Sequence, residues 1–148
     1  MSSTTAEAGT AASTKMLRDA TLTILRIGAG LLFMQHGVQK LFGLLGGVDG
    51  QGATASLFSL FGLAGIFETF GGLAIVLGLV TRPVALLLAV EMVVAYFMVH
   101  HGQGGFPVQN GGELPLFFAL VFSYLAANGG GVVGLDGWLA RRRTTPRE

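Results

Sequence analysis

The stretch TLTILRIGAGLLFMQHGVQKLFGLL, residues 21–45, decides the fold. It is apolar over a bilayer-crossing length, since about 20 helical residues at 1.5 Å each span roughly 30 Å of hydrocarbon. Yet it holds Arg26, Gln35, His36 and Lys40. At 3.6 residues per turn, Arg26, Gly30, Phe33, Gly37 and Lys40 fall on one stripe, with His36 beside Lys40. Leu, Ile and Ala fill most of the remaining circumference. Such a helix shows lipid its apolar side and turns charges and glycines toward partner helices.

Composition agrees with that reading. The chain has 148 residues, enough for one domain. A hydrophobic fraction of 51%, a charged fraction of 11% and a mean hydropathy of +0.66 place it on the membrane side of soluble averages. A soluble fold would have to bury several 20-residue apolar helices in a very small core, which surface-to-volume scaling opposes. With no cysteine, disulfides, thiolate metal sites and cysteine-ligated iron–sulfur clusters are excluded. The net charge of +1 gives no reason to expect a nucleic-acid partner.

Residues 1–16 are mostly Ser, Thr, Ala and Gly without an apolar period, and read as a disordered tail. Lys15 and Arg18 before the first apolar run resemble the start of a signal peptide. The run is too long for one, contains Arg26 and lacks a small-x-small cleavage site, so it reads as an uncleaved first span over about 19–45. A Gly-rich loop then leads to a second span over about 57–80, whose one charge is Glu68, with Gly62, Gly65 and Gly72 on its close-packing face. After Thr81-Arg82-Pro83, a third span over about 84–100 carries Glu91 with Ala95 and Met98 along the same face. A second Gly-rich loop precedes a fourth span over about 113–128, opened by Glu113, with Pro115, Ala119, Ser123 and Ala126 as its small-residue face. Residues 17–128 thus form the membrane domain. Residues 129–148 read as an interfacial segment, anchored by Trp138, with a basic tail.

With four spans, Lys15, Arg18, Arg82 and four C-terminal arginines all fall on one side, while the loops opposite carry no Lys or Arg apart from Lys40 near a helix end. Both termini are therefore expected in the cytoplasm. The expected architecture is all-α: a polytopic four-helix bundle in a bacterial inner membrane.

Counted from the cytoplasmic ends, Arg26 lies roughly 9 Å deep and Glu91 roughly 13 Å, whereas Glu68, His36 and His100 lie roughly 21–27 Å deep. Lys40 and Glu113 sit near the outer face. Each unpaired charge at mid-bilayer costs roughly 2.5–3.5 kcal/mol on insertion scales, which pairing relieves. Arg26 and Glu91 are accordingly expected to form a structural ion pair. His36, Lys40, Glu68 and Glu113 form an outer cluster with more polar groups than pairing needs, so it is the candidate ligand site.

Other chemistry fits poorly. Haem between His36 and His100 is disfavoured because His100 leads straight into His101 and a flexible loop. Adjacent histidines on a helix point about 100° apart, and no third ligand is near, so no metal site is expected. No nucleotide-binding fingerprint or nucleophile elbow appears, and Ser59 and Ser123 lack a base and an orienting acid.

In combination, HGVQKLFG (36–43), IFETFGGLAIVLGLVTRPVAL (66–86), Glu91 and GFPVQNGGELPLFF (105–118) resemble the DoxX family of small bacterial and archaeal membrane proteins, over about residues 17–138. The resemblance implies a four-helix membrane bundle. It also implies an association with quinone handling and redox stress, the family name coming from subunits of a thiosulfate:quinone oxidoreductase. It carries across no agreed catalytic residue; His36, Lys40, Glu68, Glu91 and Glu113 match polar positions of the family pattern.

Three readings follow. In the first, the bundle binds a quinone or similar small hydrophobic molecule through His36, Lys40 and Glu68, as a subunit of a quinone-linked oxidoreductase whose electrons come from a redox partner protein. In the second it is a non-enzymatic accessory or scaffold subunit. In the third it is a small-solute transporter, for which four spans would call for a homo-oligomer.

Overall fold

The computed structural model describes residues 2–144, with side chains described over residues 9–142, and helix is the regular secondary structure it forms among those residues, joined by loops and turns. Helix α1, Ser2–Phe42, runs unbroken for 41 residues. Residues 2–16 therefore belong to a helix and not to a disordered tail; Met1 lies outside the described residues. The reason is cooperativity. A long apolar helix supplies the costly nucleus, and Ala6, Ala8, Ala11 and Ala12 favour propagation toward the N-terminus. Gly43, left-handed at φ 65°, ends α1.

The following loop folds on Asp49, whose Oδ1 accepts from the N–H groups of Gln51 (2.8 Å) and Ala53 (3.0 Å). These amides hold the Asp49 carboxyl below its ordinary range. The Ala55 N–H donates to the Lys40 carbonyl at 2.7 Å, returning the chain to the end of α1.

Helix α2, Leu60–Leu77, starts three residues later than the apolar run, because Ser59 caps it by accepting from the Gly62 N–H at 3.0 Å. Its middle, Phe67–Gly71, is a π-turn. Gly78 at φ 65° and Val80 at φ 47° then turn the chain sharply into α3, Thr81–Gln103. Pro83 sits in the first turn of α3, where no intrahelical N–H is lost. A second π-turn, Tyr96–His100, adds a residue to its turn, so Met98 points outward at 61% exposure instead of sharing the inner face with Glu91. The short α4 is Pro107–Asn110, followed by α5, Glu113–Asn128, and α6, Leu135–Thr144. On α5 Pro115 and Ala119 are buried but Ser123 is exposed, so it is not part of the packing face.

Helices α2 and α3 are long and apolar enough to cross a membrane. Only 33% and 28% of their apolar windows are buried, so these are not core helices of a soluble protein; most of their Leu, Val and Phe face outward. The polar side chains of α1 and the 16-residue length of α5 keep those two helices outside the same criterion.

Helix α1 packs on α2, and α3 on α5, with Phe33 joining the two pairs. Its ring lies 5.1 Å from Phe118 and 4.8 Å edge-on from Phe122. In lipid, apolar burial contributes little to helix association, so close fit matters more. A Cβ on Gly37 would collide with the backbone N and Oγ1 of Thr69, and one on Gly72 would stand 2.6 Å from Met34 Cγ. These glycines let α1 and α2 approach closely.

Candidate functional site: a buried ion pair with unpartnered carboxylate oxygens

The α1–α2 contact sets the site. Gly37 fits over Thr69, and this register brings Lys40, in the last turn of α1, against Glu68 in the π-turn of α2. Lys40 Nζ donates to Glu68 Oε1 in an ion pair, with Glu68 2% exposed and the Lys40 side chain 20% exposed. The second oxygen, Glu68 Oε2, is buried without a hydrogen-bond partner among the described residues, as is Thr69 Oγ1. A π-turn widens the helix by one residue and is a recurrent feature of functional sites.

Glu91, on α3, is close enough for the charges of Glu68 and Lys40 to act on it, and both its oxygens are buried without a hydrogen-bond partner among the described residues. His36 is half-buried, feels the Lys40 charge and sets its ring edge-on to Phe118 at 6.2 Å. Glu113 does not join them. It stands exposed in the first turn of α5, where the helix dipole accounts for it. His100 donates from Nδ1 to the Asn110 carbonyl at 2.9 Å and serves the α3–α5 connection.

The expected Arg26–Glu91 ion pair is absent. Arg26, 1% exposed, spends its donors on backbone carbonyls: Nε on Gly130 (3.1 Å), Nη1 on Ile75 (2.6 Å) and Val76, and Nη2 on Val133 (2.7 Å). Two of these carbonyls close the end of α2, where a cation suits the helix dipole. A guanidinium has five N–H donors in a fixed fork, so four carbonyls satisfy it without a carboxylate. Glycines make the room: a Cβ on Gly78 would stand 3.0 Å from Arg26 Nη1, and one on Gly134 would stand 3.4 Å from Nη2.

Asp136 completes this lock and was not singled out in the sequence. Its two oxygens accept from the N–H groups of Val80 and Thr81, each at 2.8 Å, and its own N–H donates to the Gly78 carbonyl. Partial burial pushes the Asp136 carboxyl up, but the Thr81 and Val80 amides and the Arg26 charge outweigh it and hold the carboxyl below its ordinary range. The sequence signal was an acid set in the Gly-rich segment before the basic tail, two residues from Trp138. The basic tail begins as helix, with the Arg142 guanidinium 3.8 Å above the Trp138 ring. The Arg143 side chain and Arg147 lie outside the described residues.

Comparison with known proteins adds the family. The DoxX family model matches residues 21–101, which takes in the Lys40, Glu68 and Glu91 positions and stops short of the 105–118 motif. A Haemophilus influenzae protein described as uncharacterized is 40% identical over 119 residues, covering 78% of this chain and 87% of that relative. No solved structure matches the chain. The apolar outward faces of α2 and α3, the family match and this relative lead to one statement: the chain belongs to the DoxX family of membrane proteins.

Proposed function

We propose that this protein is a multi-pass inner-membrane protein that binds a quinone or similar small hydrophobic molecule beside the Lys40–Glu68 pair, in association with a redox partner. One observation carries the reading: three buried carboxylate oxygens, one on Glu68 and two on Glu91, lie within electrostatic range of Lys40 in an apolar bundle and lack hydrogen-bond partners among the described residues. A buried polar group without a partner costs about 1–3 kcal/mol, more when charged, which a purely structural site has no reason to retain. A quinone has polar groups at the edges of a flat apolar body, which suits a few placed polar atoms among Phe33, Phe118 and other apolar side chains. His36 and Lys40 donate to its oxygen atoms, and the carboxylates accept when it is reduced. Quinone and redox roles are also what the family resemblance implies. Without a cysteine-held cluster, electrons come from the partner or from the ligand itself.

The same reading takes α1, α2, α3 and α5 as four spans with both termini cytoplasmic. Supporting it, Arg26 joins the end of α2 to residues 130 and 133, so the α2–α3 turn with Arg82 and the segment leading to Arg141 and Arg142 share one end of the bundle. Lys15 and Arg18 precede Arg26 on α1 by two to three turns toward that end.

The test is titration of the purified protein in detergent with a short-chain quinone and its reduced form, by calorimetry. Saturable binding is expected, weakened about tenfold in His36→Ala, the size of one hydrogen bond. Absence of binding by either form, or binding indifferent to both His36→Ala and Lys40→Met, defeats the reading.

A further inference from the structure

At the other end of the bundle, the α2–α3 turn and the Gly-rich segment before α6 enclose a cleft of about 470 Å³, lined among others by Val80, Arg82, Asn128, Gly129, Asp136 and Ala140. Arg82 is exposed and lies across Gly129, where a Cβ would stand 3.2 Å from its Nε. It has no carboxylate partner among the described residues. The acid in the cleft wall, Asp136, does not pair with it, because both its oxygens already accept from the Val80 and Thr81 amides. The cleft therefore presents an uncompensated guanidinium beside backbone that only glycine permits: Gly129 has φ +79° and Gly131 φ +77°.

A planar guanidinium in this setting recognises a phosphate, which it can hold with two parallel hydrogen bonds. The surroundings decide which phosphate. Val80 in the cleft wall is exposed, as are Leu79, Val132, Leu135, Trp138 and Leu139, each next in the chain to a residue that lines the cleft, and Trp138 carries Arg142 on its ring. A free phosphate has no use for that apolar rim, whereas a phospholipid lays its acyl chains along it. The volume suits a headgroup and not a whole lipid.

The geometry points to a binding site for the headgroup of an anionic phospholipid, held by Arg82 in the cleft between the α2–α3 turn and α6. This site is independent of the Lys40–Glu68 cluster. It ties lipid composition to the Arg26–Asp136 lock, since the same turn forms the wall of both.

Native mass spectrometry of the intact protein, released from detergent with phosphatidylglycerol or phosphatidylcholine of identical chains, tests it. Wild type is expected to retain phosphatidylglycerol preferentially. Arg82→Gln should reduce that preference about fivefold, the effect of one basic residue at a lipid surface, while Arg82→Lys, which keeps the charge but not the paired N–H fork, should fall between the two. Equal retention of the two lipids by wild type overturns the proposal, and this comparison needs no variant. A preference unmoved in a folded Arg82→Gln protein also overturns it. In a third arm inorganic phosphate is added. If millimolar phosphate strips phosphatidylglycerol as readily as an excess of the same lipid does, the cleft is a free-anion site and the lipid assignment fails.

Discussion

Arg26 and Glu68 are both charged and both almost sealed from solvent, yet their surroundings differ in kind. Arg26 has four carbonyl acceptors, Asp136 nearby and glycines shaped around it. Among the described residues Glu68 has one partner, Lys40, and a bare second oxygen, with the unpartnered Glu91 carboxylate in electrostatic range. A satisfied buried network holds a fold together, and a half-satisfied one is a cost that persists only where something else requires it. The contrast separates the part of this protein that maintains its architecture from the part available for chemistry.

Replacement of Arg26 strikes the satisfied region and should have the largest effect. Arg26→Met leaves the Ile75, Val76, Gly130 and Val133 carbonyls without their donor, and should cost about 3–5 kcal/mol, the scale of a broken buried charged network. Thermal unfolding in detergent should show a large fall in Tm or no monodisperse protein at all. Glu91→Gln should be close to neutral, because no partner of Glu91 is lost. Comparable losses in the two variants would mean that Arg26 and Glu91 pair after all, and the contrast would disappear.

The ion pair of the unsatisfied region comes next. Lys40→Met strands a carboxylate that is 2% exposed, but Lys40 reaches solvent, so the loss should be about 2 kcal/mol, below the fully buried case. Adding Glu68→Gln should recover most of it, because the stranded charge goes too. A double-mutant cycle of thermal stabilities reads this coupling, and strictly additive losses would show that the pair contributes nothing. If the quinone reading holds, the rescued double variant is stable but does not bind, which divides stability from function within one site.

The buried stripe of α1 was legible because it follows from helix geometry alone: Arg26, Gly30, Phe33 and Gly37 recur at helical spacing and all are buried. The Lys40–Glu68 meeting was legible through charge and depth. Arg26's partners were not, because they are carbonyls of residues 75, 76, 130 and 133, and a backbone acceptor leaves no trace in the residue type. Seeking a carboxylate for every buried cation therefore assigned Glu91 wrongly. The outward turn of Met98 was hidden for a related reason: a π-turn breaks the 3.6 period that projects one residue's face from another's. Asp136 was overlooked because it lies outside every apolar run, though a turn with Val80 at φ 47° needs something to hold it.

That turn yields the smallest and most selective effect. Asp136 has a depressed carboxyl pKa in the folded protein, so it binds its proton less readily folded than unfolded. The stability it contributes is fully present above its unfolded value of about 4 and is lost as pH falls through the lower folded value. Wild-type Tm should therefore decline below about pH 4, and Asp136→Asn should flatten the decline while lowering Tm at neutral pH, where the Val80 and Thr81 amides bond a neutral oxygen in place of a charged one. Asp49, fully exposed on its own loop, has a depressed carboxyl too, so its Asn variant is the control: it should remove a separate part of the acid slope and leave the α2–α3 turn intact. Hydrogen exchange at the Val80 and Thr81 amides distinguishes the two, since only Asp136→Asn should speed it. If exchange there stays slow without the Asp136 carboxylate, the left-handed Val80 is held by α3 itself, and the lock consists of Arg26 alone.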